Sequence, residues 1–262
     1  MCLIAIASER HPAYPLVLIA NRDERHTRPA APAGPDPGFP DVYGGRDLLQ
    51  GGSWLLASRR GRLAAVTNVR VRPLDRAFPR SRGDLVRGFA SSDADAARWL
   101  DQLAPDAAAF GPFNLLLWDG RELAFAGNHP RFLREAVAPG LHAVSNGAFD
   151  APWPKSNLAS RALAAWMDNG LPADARKADV APLLDALADR TPAPDDALPD
   201  TGVGLELERL LSPPFVLEPH YGTRCSTVVL VQPDGIRFVE RRFDAGGSAI
   251  GESDAWLPRD GG

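Results

Sequence analysis

Residues 113–126 read FNLLLWDGRELAFA, an apolar run from Phe113 to Trp118, an Asp119-Gly120 pair, and a second apolar run from Glu122 to Ala126. Asp-Gly between two such runs reverses the chain in a tight hairpin, because that turn needs positive φ angles that glycine adopts without steric penalty. The unit recurs along the chain. Leu3–Ala7 and Leu16–Ala20 flank a Pro-containing turn, and Ser53–Ser58 and Arg62–Val69 flank Arg59-Arg60-Gly61. Ser226–Val231 and Ile236–Arg242 flank Pro233-Asp234-Gly235, and Leu141–Ser145 adds one more short strand. Runs joined this closely pair as antiparallel neighbours, since a parallel pair needs a long crossover. Between the hairpins, helical spacing predicts helices over Gly83–Ala90 and Ala94–Leu103, the latter capped by Asp93, then over Pro154–Met167, Asp179–Ala188 and around Leu205–Leu211. Antiparallel sheets with helices on their faces make an α+β layered domain.

We expect one domain over residues 1–246 and a flexible tail over 247–262. The Pro/Ala/Gly-rich stretch Thr27–Gly38 is expected to be a surface loop or lid, and the Pro/Asp-rich Thr191–Thr201 a mobile connection. The net charge of −4 gives no general attraction to nucleic acid. No apolar run approaches a membrane span, the first one lacks the basic leader of a signal peptide, and two cysteines make no disulfide framework. A cytoplasmic location is expected. No P-loop, GxGxxG after a strand, CxxC or HExxH is present, and the sequence argues for no metal.

Cys2 stands directly behind Met1. Its small side chain permits removal of Met1, which would leave a thiol and a free α-amine on one residue, a nucleophile with its own base. A buried strand cysteine is the alternative reading. A nucleophile of this kind needs a group to hold the amine and donors for an oxyanion. Asp23, at the end of the second strand, is a candidate for the amine, and Arg22 for lowering the thiol pKa. Asn68 and Asn146 each follow an apolar strand and are candidate oxyanion donors. Arg224 enters an apolar strand and so needs a carboxylate partner or a functional role. Trp54 and Trp153 are candidate substrate platforms, more ordinarily core residues.

Four segments taken together, MCLIAIA…LVLIANRDE, GGSWLLASRRGRLAAVTNVR, SNGAFDAPWPK and YGTRCSTVVLV, resemble the NRDE family, the transport-and-Golgi-organisation-two family. The resemblance runs in order from Cys2 to about Glu240. That family is similar to the cysteine-type N-terminal nucleophile hydrolases, such as bile salt hydrolases and penicillin V acylases. It implies a four-layer αββα sandwich, Cys2 as nucleophile, Asp23 on the α-amine, Asn68 and Asn146 on the oxyanion side, and Arg224 as a late active-site arginine. Where the hydrolases carry an arginine before an Asn-x-Asp run, this chain has Ala20, and Arg22 lies inside the run; Asn21, Arg22, Trp54 and Trp153 are then expected to contact substrate. The implied activity is hydrolysis of a non-peptide amide or acyl thioester, with no cofactor. The alternative is a non-catalytic protein that binds and traffics haem, acyl-CoA or lipid through the same cleft.

Overall fold

The computed structural model describes residues 2–72 and 77–259, with Cys2 described by its backbone alone. Among these residues a six-stranded antiparallel sheet runs in the order β10 (Gly140–Val144), β1 (Cys2–His11), β2 (Tyr14–Arg25), β11 (Tyr221–Gln232), β12 (Gly235–Phe243), β13 (Ala249–Pro258). A seven-stranded antiparallel sheet runs β3 (Ala30–Asp36), β4 (Phe39–Asp47), β5 (Leu55–Ser58), β6 (Leu63–Asn68), β7 (Phe113–Trp118), β8 (Leu123–Gly127), β9 (Leu133–Ala136). All four hairpins expected from sequence form; β1, β2, β11 and β12 run beyond their apolar centres, while β5 and β6 are shorter than the expected runs.

The layers follow from strand alternation. On β2, Leu16, Leu18 and Ala20 point between the sheets, where they meet Leu55, Leu116, Phe125 and Phe238. Val17 and Ile19 point the other way, against α3 (Pro154–Asp168) and α4 (Ala181–Leu187). On the far side, α1 (Arg82–Ala90) and α2 (Ala96–Leu103) cover the second sheet, with Leu85, Phe89 and Leu100 packed on Leu56, Val66 and Leu115. The result is a four-layer αββα sandwich. A strand covered on both faces has no polar side, which is why PLVLIA is continuously apolar. Truncating one of its leucines to alanine would cost about 2–5 kcal/mol, because the flanking layers cannot collapse into the hole.

Three expectations need correction. Residues 30–36, inside the expected Thr27–Gly38 loop, form β3, paired with β4. Pro32 and Pro35 are tolerated because β3 is a sheet edge, where a missing N–H leaves no neighbour unpaired. The segment after Gly246 is not a loose tail: β13 pairs with β12 from Phe243↔Ala249 to Gly235↔Pro258. Its sequence AIGESDAWLP carries Glu252, Ser253 and Asp254 at its centre and buries only Leu257, because an edge strand keeps most of its side chains in or near solvent. Arg237–Asp254 and Arg241–Glu252 cross-strand pairs lie on it. Finally, the cap of α2 is Asp95, whose side chain accepts from Arg98 N–H, while Asp93 pairs with Arg60. The 191–201 connection contains a single 3-10 turn, Asp195–Ala197, and Arg209 grips Asp195 at 2.7 Å.

Candidate functional site

The register of β1 and β2 sets Cys2 opposite Arg22 and Leu3 opposite Asn21. The next residue of β2 is Asp23, so a carboxylate lies one step beyond the strand position that faces Cys2. Asp23 is 2% exposed. Its Oδ1 accepts from the Thr223 hydroxyl on β11 at 2.6 Å. Burial pushes its carboxyl pKa up; the Lys155 charge, the Thr223 hydrogen bond and Arg22 pull it down.

A cleft of about 690 Å³ opens beside this strand end. Arg22, Asp23, Trp54 and Asn68 line it, as do Arg28, Arg72, Arg80, Arg82 and His129. The first turn of α1 forms part of its wall. That turn approaches so closely because Gly52 and Gly83 face each other: a Cβ on Gly52 would lie 2.5 Å from the Gly83 backbone. Arg22 is 6% exposed, with its guanidinium 4.1 Å from the centre of the Trp54 ring and Glu24 at 3.7 Å. Among the described residues its Nη1 has no hydrogen-bond partner. Arg28 is instead committed to Asp47 and Glu24.

Asn68 ends β6, and the Asn146 loop follows β10 in the other sheet. The Asn146 side chain, fully buried, donates Nδ2 to Asn68 O at 2.8 Å and to Asn68 Oδ1 at 3.2 Å. Arg70 N–H donates to Asn146 O and the Thr67 hydroxyl to Ser145 O, so the two sheets are stapled at this end. Asn68 reaches the cleft, whereas Asn146 stands behind it.

The other expected site residues lie elsewhere. Asn21 faces the helix layer; its Nδ2 donates to Leu187 O and Pro214 O, and its Oδ1 accepts from the Ser226 hydroxyl. Arg224 donates to the backbone carbonyls of Arg25, His26 and Arg28 and closes the turn that follows β2. Of the carboxylate partner or functional role expected for it, the carboxylate is replaced by these three carbonyls. Trp153 precedes Pro154 at the start of α3, where its ring packs on Gly147 and lies 5.6 Å from the Arg70 guanidinium. None of these three lines the cleft. The Cys2 side chain and Met1 lie outside the described residues. No group of three or more His, Cys, Asp or Glu side chains among the described residues is placed to hold a metal ion.

The family model described as Transport and Golgi organisation 2 matches residues 1–245. The chain belongs to that family. The Transport and Golgi organization protein 2 homolog of Bos taurus is 35% identical over 261 residues and that of Homo sapiens 33% over 260, each covering 92% of this chain and 92% of the relative. Among solved structures, a Caenorhabditis elegans ortholog of N-acylethanolamine-hydrolyzing acid amidase aligns with TM-score 0.50 at 11% identity, over 87% of this chain and 92% of that one. The C2A mutant of conjugated bile acid hydrolase from Clostridium perfringens aligns with TM-score 0.52 at 6% identity, over 98% and 92%. At such identities the likeness is one of fold: this Transport and Golgi organisation 2 family chain has the layered sandwich of the N-terminal nucleophile hydrolases. No helix among the described residues is long and apolar enough to cross a membrane.

Sequence reasoning missed several members of the site. Lys155, Arg70 and Glu208 are buried charged residues outside the cleft lining, Arg70 paired with Glu208, and Arg80 and Arg82 reach the cleft at the start of α1. Lys155 carried one signal: it is one of only two lysines in an arginine-rich chain, and it closes the SNGAFDAPWPK segment.

Proposed function

We propose that this protein is an N-terminal-cysteine hydrolase of non-peptide amide or acyl thioester bonds, acting through an acyl-Cys2 intermediate. The observation that carries the reading is a carboxylate, Asp23, buried one residue beyond the strand partner of Cys2 and lining a large cleft. The fold supports it, and the bile acid hydrolase neighbour was solved as a C2A mutant, with its own residue 2 replaced.

In this reading, removal of Met1 frees the Cys2 α-amine. The amine takes the thiol proton as sulfur bonds to the substrate carbonyl carbon. Asn68 Nδ2 meets the oxyanion, and Asn146 fixes the orientation of that amide by donating to its Oδ1. Collapse of the tetrahedral intermediate expels the amine or thiol, which receives the proton from the α-ammonium. Water, deprotonated by the same amine, then opens the acyl-Cys2 thioester and releases a carboxylic acid. Asp23 offsets the positive charge that appears on the amine in both halves of the reaction.

The test is turnover of N-acyl amino acids, N-acylethanolamines, conjugated bile acids and acyl thioesters by mature protein whose mass shows loss of Met1. Turnover with at least one class, abolished in Cys2→Ala, is the expected result. An unreactive Cys2 with no turnover anywhere, or full activity with Met1 retained, removes the reading.

A second reading has its own support in the cleft lining, where five arginines stand with a single imidazole, His129. Such a lining suits a carrier for haem or another anionic acyl ligand, with guanidinium groups on carboxylates or phosphates. Titration with haem discriminates: a saturable Soret shift without turnover favours the carrier, and no shift favours the hydrolase.

A further inference from the structure

A second, much smaller space adjoins the cleft. Where the β1–β2 pair Ile4↔Ala20 faces the β5–β6 pair Leu55↔Ala65, the two sheets leave a void of about 10 Å³. Each pair sets one large side chain beside an alanine, and all four belong to the apolar layer between the sheets. Thr227, the β11 partner of Ala20, borders the same void. A space of that size is at the lower limit for holding one water molecule. Among the described residues, Arg22, Trp54 and Val66 line both the void and the cleft, so they form the wall between the two.

Trp54 supplies most of that wall, and it is held in place from three directions. Val66 N–H donates to Trp54 O at 2.9 Å, which ties the tryptophan backbone to β6. The Arg22 guanidinium lies 4.1 Å from the centre of the ring. On Gly45 of β4 a Cβ would overlap the outer edge of the ring, so only a glycine there lets the indole reach its position. The wall also stands at a telling place along the strands. Cys2 pairs with Arg22, and Ile4 pairs with Ala20 two residues further along the same two strands. The void therefore begins one step into the sandwich from the Cys2 position. Val66 precedes Asn68 by two residues on β6, so the candidate oxyanion donor and the wall share one end of the cleft. Arg28, Arg72, Arg80 and Arg82 make much of the remaining lining polar. An alkyl chain laid against guanidinium groups strips them of water without replacing it, whereas Trp54 and Val66 offer apolar surface.

We infer that Trp54 sets the length of acyl chain this protein accepts: the chain of the acyl group lies on Trp54 and Val66 and ends at the indole, which keeps the void behind it closed. The inference rests on the acyl-hydrolase reading and gives it a substrate class, short linear acyl groups whose polar leaving part occupies the arginine-lined remainder of the cleft. Removing the indole joins the void to the cleft. The chain can then run on between the sheets, over Ala20 and Ala65, where the small side chains leave it room.

The experiment separates chain length from catalysis. Processed Cys2→Ala protein is titrated calorimetrically with linear carboxylates from butyrate to dodecanoate, the acids that an acyl enzyme would release. With Trp54 in place, affinity should rise by about fourfold per methylene over the first members and then stop rising. In Trp54→Ala, shown to be folded by its thermal melt, the rise should continue to longer acids. Trp54→Phe, which keeps a smaller aromatic wall, should place the limit between the two. Adding Ala65→Val, which refills the void from outside the cleft lining, should cancel the gain of Trp54→Ala. With Cys2 restored, the ratio of kcat/KM between long and short acyl substrates should shift the same way; a ratio is unaffected by any general loss of rate from loosening Arg22. A limit that both Trp54 variants leave unmoved overturns the inference, even in a protein that hydrolyses amides or thioesters. A gain that survives Ala65→Val, an affinity that climbs through the whole series with Trp54 present, or no binding of any carboxylate overturns it too. A limit that moves with Trp54 in a protein that turns over nothing keeps the acyl subsite and removes the hydrolase.

Discussion

An asparagine can stabilise an oxyanion only if its nitrogen, not its oxygen, is turned toward the reacting carbon. At Asn68 that choice is made by Asn146, whose Nδ2 donates to the Asn68 side-chain oxygen and leaves the Asn68 nitrogen for the cleft. The two residues should therefore fail differently. Asn68→Ala should lower kcat by about 10²–10³, the usual effect of deleting one oxyanion donor. Asn146→Ala should lower kcat less, because Asn68 then samples both amide orientations, and should leave KM nearly unchanged. Asn146→Asp should be worse than Asn146→Ala: a carboxylate there attracts the Asn68 nitrogen and turns the oxygen into the cleft. Steady-state kinetics on the three variants checks this order. Equal kcat for Asn146→Ala and the unaltered protein would show that Asn68 is oriented by something else.

At the scale of elements, what was legible in the sequence depended on whether an element was covered. The four hairpins and helices α1, α3 and α4 were readable because their apolar residues face a layer on at least one side. The edges were not. Strand β3 carries two prolines and β13 breaks its apolar residues with Gly251-Glu252-Ser253-Asp254, since an edge strand needs neither a full set of N–H donors nor a buried face. Removing residues 247–262 tests how far β13 belongs to the sheet. The truncated protein should melt at lower temperature and self-associate in sizing experiments, because the hydrogen-bonding edge of β12 becomes free. The site was legible in part for a related reason. Strand β2 is apolar on both faces, so alternation could not say which of Asn21 and Arg22 points between the sheets. The structure gives that direction to Arg22 and spends Asn21 on the helix layer. The α2 cap shows the same limit of local pattern. Asp93 and Asp95 both precede the helix, and only the second accepts a hydrogen bond from the first turn, from Arg98 N–H. Asp95→Ala should cost about 1 kcal/mol in chemical denaturation, the usual loss of a cap. Asp93→Ala, which breaks an exposed pair with Arg60, should cost about 0.2–1 kcal/mol at most.

For the whole molecule, the decisive electrostatic feature is a carboxyl group between the two sheets. Glu240 on β12 is 1% exposed; its Oε1 accepts from Ala33 N–H at 2.8 Å, and its Oε2 has no hydrogen-bond partner among the described residues. Arg242 is 3.8 Å away but also donates to the Ser253 hydroxyl. Burial pushes the Glu240 pKa above its ordinary 4.5, and the Ala33 hydrogen bond and Arg242 only partly oppose this. The folded protein thus holds that proton more tightly than the unfolded chain. Stability from this group is fully present below about pH 4.5 and falls as pH rises through the folded-state pKa, after which it stays low. Asp36, gripped by Arg87, and Asp119, held by three backbone N–H groups, have depressed pKa values and act in the opposite sense, losing stability as pH falls. The Glu240 contribution is read by difference. Glu240→Gln keeps an oxygen for Ala33 N–H and removes the ionisable proton, so the sandwich loses a penalty that it carries only when the carboxylate is charged. The variant should match the unaltered protein in melting temperature near pH 4.5 and exceed it by several degrees at pH 8. Parallel melting curves at both pH values would mean that Glu240 is ionised and compensated in the fold, with Arg242 as its working partner.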